Sequence, residues 1–95
     1  MMSKIPIDIG KIGKEDMDRE ILWVAIIAEL DAVSLYEELA AMTDSKDLKA
    51  VLSDIAREEK THVGEFQTLL LMKDEEQVIE LEKGRKEVEE LTGNK

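Results

Sequence analysis

The apolar residues of this chain recur at helical spacing over most of its length. From about Glu15 to Met42 there is no Gly or Pro, and acids crowd the first turn, where the positive end of a helix dipole favours them. One long helix is predicted there. Thr43, Asp44 and Ser45 form a short polar break able to cap a second helix, and the periodicity resumes from about Lys46 to Met72. Asp74 stands three residues before Gln77, a capping-box-like start for a third, shorter helix that ends near Thr92, before Gly93. Gly84 weakens that helix from within. The lead-in, residues 1–14, holds the only Pro (Pro6) together with Gly10 and Gly13 and reads as irregular; residues 15–95 read as one domain.

A break of three residues between two long helices forces an antiparallel hairpin, which is half of a four-helix bundle. Two packed helices bury only one seam. The first helix is nonetheless apolar on nearly every face: at 100° per residue Trp23, Val24, Ile27 and Leu35 lie opposite Leu22, Ile26, Val33 and Ala40. Apolar surface left over in this way calls for a second copy of the chain, so the expected fold is all-α, a hairpin with a C-terminal helix that dimerises into a four-helix bundle.

Three polar residues interrupt this scheme. Within about 60° of Glu29 on the helical wheel lie Leu22, Ala25, Ile26, Ala32, Val33, Tyr36 and Ala40, so Glu29 sits in the middle of an apolar stripe. The same exercise on the second helix, centred on Glu59, gathers Leu48, Leu52, Ile55, Ala56, His62, Val63, Phe66 and Leu70. A carboxylate in a bundle core costs several kcal/mol unless it is paired, protonated or bound to a metal. No Lys or Arg lies on either stripe near these levels. With the hairpin centred on Asp44, position 29 faces position 59, each ~22 Å from the turn at a rise of 1.5 Å per residue. One chain thus brings two carboxylates and an imidazole to a single level. A dinuclear carboxylate site in a four-helix bundle takes a Glu from each of two helices and a Glu-x-x-His from each of the other two. Glu59-Lys60-Thr61-His62 is that motif once and Glu29 is the lone Glu once, so each chain carries half a site and a two-fold dimer completes six ligands around two metals.

Plainer readings stand beside this one. Glu29 could be a core-edge carboxylate bonded to Tyr36, His62 a satisfied core histidine, and Tyr36 core filler with a bonded hydroxyl. Met42 and Met72 read as apolar filling rather than ligands. Asp31, Glu37, Glu38, Glu58 and Glu65 read as solvated faces.

Composition narrows the chemistry further. The 95 residues suffice for one small domain, and only three are aromatic (Trp23, Tyr36, Phe66), which suits helix contacts better than an all-β core. A formal charge of -10 repels phosphate backbones and anionic lipid, arguing against nucleic-acid and membrane partners. There is no Cys, so disulfides, zinc ribbons, iron–sulfur ligation and thiol catalysis are excluded, and any metal must use Glu, Asp or His. Met1 to Gly13 has no apolar segment followed by a small-residue cleavage site, and Glu29 and Asp31 interrupt the apolar run from Ile21 to Ala28 well short of the ~20 residues of a membrane span. The expectation is a soluble, cytoplasmic chain.

Three stretches carry a family resemblance: Ala28-Glu29-Leu30-Asp31-Ala32, Leu35-Tyr36-Glu37, and the run from Ala56 to Phe66 that contains Glu58-Glu59-Lys60-Thr61-His62-Val63-Gly64-Glu65. From about Asp18 to Thr92 the chain resembles the encapsulated ferritins, the short two-helix members of the ferritin-like superfamily. The tail from Glu87 to Gly93 is similar to members fused to a shell protein. The resemblance implies that Glu29, Glu59 and His62 are the iron ligands of an intersubunit ferroxidase centre and that Tyr36 is a tyrosine beside it. It further implies di-iron chemistry, oxidation of Fe(II) to Fe(III) by dioxygen, a ring-shaped decamer of five dimers, and residence inside an encapsulin nanocompartment where the mineral is stored. Where other members add acids around the route of metal access, this chain has Ala28 and Leu35, with Asp31 the one candidate. Two rival functions remain at this point: a rubrerythrin-like di-iron peroxidase, which the missing Cys-rich electron-transfer segment disfavours, and a non-enzymatic helical assembly module whose buried carboxylates only fix dimer register.

Overall fold

The computed structural model describes residues 14–95, and the irregular lead-in expected over the first 14 residues falls, but for Lys14, outside them. Three helices run in order: α1 Lys14–Met42, α2 Lys46–Lys73 and α3 Glu75–Thr92, with no strand among the described residues. The boundaries after Met42 have local causes. Thr43 Oγ1 accepts from Ser45 N at 3.1 Å, and Ser45 Oγ then accepts from Leu48 N at 3.2 Å, so the break both ends α1 and caps α2. Asp74 does the same for α3 by accepting from Gln77 N at 3.0 Å. At the far end Gly93 adopts φ 74°, a left-handed conformation open to glycine without strain, and its N–H donates to Glu89 O at 2.8 Å.

α1 and α2 pack side by side as the expected antiparallel hairpin, whereas α3 touches α2 near the Asp74 junction and does not reach α1. The resulting shape measures 46 × 43 × 19 Å. A slab two helices across has no second layer, so its core is small: Leu22, Ile26 and Leu70 form a buried cluster, with Trp23 and Phe66 packed against it. Val33, Ala40 and Ala56 continue the seam toward the turn. Ion pairs flank it. Lys60 Nζ lies 3.2 Å from Glu37 Oε2, because side chains lean toward the N-terminus of their own helix and these two lean toward each other; Lys73 meets Asp18 at 3.7 Å near the open end.

Two sequence expectations change here. Leu48 and Leu52, placed on the core stripe of α2, are respectively exposed and only partly buried, since a single partner helix covers too narrow an arc. Asp31, expected on a solvated face, is buried at 8% exposure and is not without a partner. A helical wheel drawn with α2 as the only neighbour of α1 puts Asp31 on the side away from α2, where it looks solvated.

α3 has no buried residue and continues through Gly84, where a Cβ would meet nothing. It is held as a solvated helix by its charges: Lys83 bonds Glu80 at 3.2 Å, and Arg85 bonds Glu82 at 2.6 Å and also reaches Glu89. The Arg85 hydrogen bond holds the Glu82 carboxyl below its ordinary pKa.

Leu70→Ala removes the most buried large side chain from the small cluster and should cost about 2–5 kcal/mol in urea unfolding. Gly93→Ala, which strains only the α3 cap, should cost about 1 kcal/mol. Equal losses for the two would mean that the α1–α2 seam is not what holds the chain together.

Candidate metal centre

Glu29 is carried by the middle of α1, and Glu59 and His62 by adjacent turns of α2; the antiparallel packing of the two helices across a short turn puts all three at one height. The structure brings them together. His62 Nδ1 lies 3.4 Å from Glu59 Oε2 and 3.5 Å from Glu29 Oε2. One donor atom from each residue fits within 4.8 Å of the other two, close enough to share an ion. The two carboxylates are mostly buried, with side chains 21% and 19% exposed for Glu29 and Glu59, while His62 stands more open at 44%. Glu29 Oε2 is wholly buried and accepts no hydrogen bond. Such an oxygen is unfavourable to keep dry without a partner, and a cation is the partner its chemistry suits.

The donor set is hard to borderline, two carboxylates and an imidazole, which fits Fe(II), Mn(II) or Zn(II) and leaves positions of a six-coordinate ion unfilled. One chain offers three ligands on an open slab rather than a closed cage. Glu29 and His62 line a surface hollow with Glu65, Phe66 and Leu69, so the site faces outward.

Tyr36 is partly buried, two turns beyond Glu29 or about 10.5 Å along α1, and does not line that hollow. Among the described residues it makes no hydrogen bond to Glu29, whose Oε2 accepts none. Glu37, Glu38, Glu58 and Glu65 are exposed as expected. Asp31, the candidate for metal access, is closed off by its burial. Glu65 is the residue that wheel arithmetic passed over: it stands about 120° from the centre of the Glu59 stripe, and only the hollow shows that it borders the same space as the ligand-type residues.

Among the described residues no helix is long and apolar enough to cross a membrane.

Comparison with known proteins agrees with this architecture. A rubrerythrin family profile matches residues 20–92. The chain is 56% identical over 80 residues to the ferritin-like-encapsulin shell fusion protein of Pyrococcus furiosus, an alignment covering 84% of this chain and 23% of that protein. It is 42% identical over 52 residues to the encapsulin nanocompartment cargo protein EncC of Myxococcus xanthus, covering 55% of this chain and 40% of that one. The chain therefore spans less than half the length of either curated relative. Among solved structures, the encapsulated ferritin domain from Pyrococcus furiosus superposes with a TM-score of 0.84 at 49% identity, covering 98% of this chain and 97% of that domain. The chain belongs to the rubrerythrin family of ferritin-like proteins, within the group of encapsulated ferritins.

Proposed function

We propose that the protein is a ferroxidase whose di-iron site is completed between two copies of the chain. The reading is carried by one observation: Glu29, Glu59 and His62 converge within 4.8 Å, with a buried Glu29 oxygen that accepts no hydrogen bond, on a face left open by a two-helix slab. Two such faces related by a two-fold axis give four carboxylates and two imidazoles, the ligand set of a dinuclear bundle site. Ferrous iron is the substrate, and dioxygen is the acceptor of the electron each iron gives up. Glu29 and Glu59 supply the negative charge that favours the ferric product, and His62 supplies a neutral donor that fixes each ion to α2. Tyr36, further along the same apolar stripe, is the proposed neighbour of the centre rather than a ligand.

The same reading extends to assembly. Residues 15–95 act as one ferritin-like unit behind a lead-in of residues 1–14, the unit dimerises, and dimers associate further into a ring, a decamer in the form the family resemblance implies. Relatives named for an encapsulin shell and its cargo support an encapsulin shell protein as the partner and the interior of a nanocompartment as the location, where oxidised iron is stored.

Protein loaded with Fe(II) should hold about two ions per dimer. It should oxidise Fe(II) in air over many turnovers. His62→Ala should lower that rate sharply while retaining some metal. A rate equal to a buffer blank would remove the enzyme, and turnover with hydrogen peroxide but not dioxygen would make the protein a peroxidase. Chelation should lower the mass seen by light scattering, because the ligand carboxylates face one another across an empty site.

Glu29→Gln removes the unpartnered acid with little change of shape. In chelator its melting temperature should equal or exceed that of the parent, although its metal affinity falls. A loss comparable with Leu70→Ala in the same scan would assign Glu29 a structural role.

A further inference from the structure

The proposed centre needs a route by which a hydrated cation reaches it from water. α1 offers little for this: Ala28 and Leu35 are apolar, and Asp31 is buried. On α2 one acid is differently placed. Glu65 is exposed, one turn beyond His62, and lines the hollow shared by Glu29, His62, Phe66 and Leu69. Phe66 and Leu69 make the remainder of that wall apolar, so Glu65 is its one carboxylate outside the group of three.

Charge around it is arranged to leave it available. Among the described residues no cation pairs with Glu65, whereas the nearest basic residue along the helix, Lys60, projects from the opposite flank of the Glu59 stripe and is already 3.2 Å from Glu37. On the wheel Glu65 stands about 120° from Glu59 and about 60° from His62, which puts it at the rim of the seam that a second copy would close rather than within it. A carboxylate at a rim is within reach of hydrated ions, and the wholly buried Glu29 Oε2, with no hydrogen-bond partner, gives an ion captured there somewhere to go.

Resting on the metal-centre reading above, we infer that Glu65 is the residue that delivers the divalent cation: it captures the hydrated ion at the mouth of the hollow and passes it to His62 and Glu29, without becoming a ligand of the occupied site. Capture of this kind acts through long-range attraction, so it raises the association rate, weakens as salt is added, and leaves the final coordination sphere as it was.

Stopped-flow mixing of the metal-free full chain with Co(II) tests this, since the visible bands of the bound ion report both the rate of binding and the ligand set. Glu65→Gln, a substitution of an exposed side chain by its isostere, should slow association about three- to ten-fold at low ionic strength. The parent's rate should fall toward the variant's as salt rises, the final spectrum should be unchanged, and Glu65→Asp should recover most of the rate. An unchanged rate in Glu65→Gln, with the parent binding Co(II) normally, would overturn the delivery role and leave the metal centre standing. An altered spectrum would overturn it in a different way, by making Glu65 a ligand. Failure of the parent to bind Co(II) at all would remove the metal centre and the delivery role together.

Discussion

A carboxylate oxygen kept dry with no hydrogen-bond partner is an unfavourable feature of this chain, and much of the architecture bears on it. Glu29 Oε2 is buried by the α1–α2 seam yet accepts nothing from it. Removing Glu29 from its position would let the seam close over apolar residues, as it does around Leu22, Ile26 and Leu70 one and two turns away. The chain instead places the Glu59 carboxylate and the His62 imidazole against it, a donor set that a bound cation would satisfy. A bound cation, as proposed, would make this polar interruption of the core tolerable.

The slab shape and the half-site share one cause. A hairpin 19 Å thick cannot surround an ion, and it cannot cover the apolar faces of its own helices. Leu39, Val51 and Leu69 stay exposed on the side of the hollow, so the same association that would complete the ligand set would also bury leftover apolar surface. α3 takes no part in the site. Its Glu80–Lys83 and Glu82–Arg85 pairs keep it helical as it leaves the hairpin, and Gly93 ends it. The net charge of -10 suits an environment that gathers cations.

Helix limits, the turn, both caps and the meeting of Glu29 with Glu59 and His62 were legible in the sequence because each depends on local chemistry or on counting along straight rods of known rise. Fifteen residues either side of Asp44 locate a site when helices do not bend and the turn is tight. What counting missed depends on neighbours it did not include. Asp31 looks solvated on an α1 wheel that knows only α2, yet it is buried; Leu52 looks like core on the α2 wheel, yet one partner helix leaves it partly open. The outward direction of α3 was equally hidden, since its apolar positions, Val78, Leu81, Val88 and Leu91, read the same on a helix that folds back and on one that projects. Glu65 was passed over because bordering a hollow is a property of a surface and not of a helical period.

In the proposed centre two copies of this chain share a pair of metal ions through Glu29, Glu59 and His62. A crystal structure of the iron-loaded protein, with anomalous scattering recorded on either side of the iron edge, tests it most directly. Two iron peaks are expected on or about a two-fold axis, with Glu29, Glu59 and His62 of both copies among their ligands. Iron held by the residues of one chain alone, or iron found away from these three side chains, would contradict it.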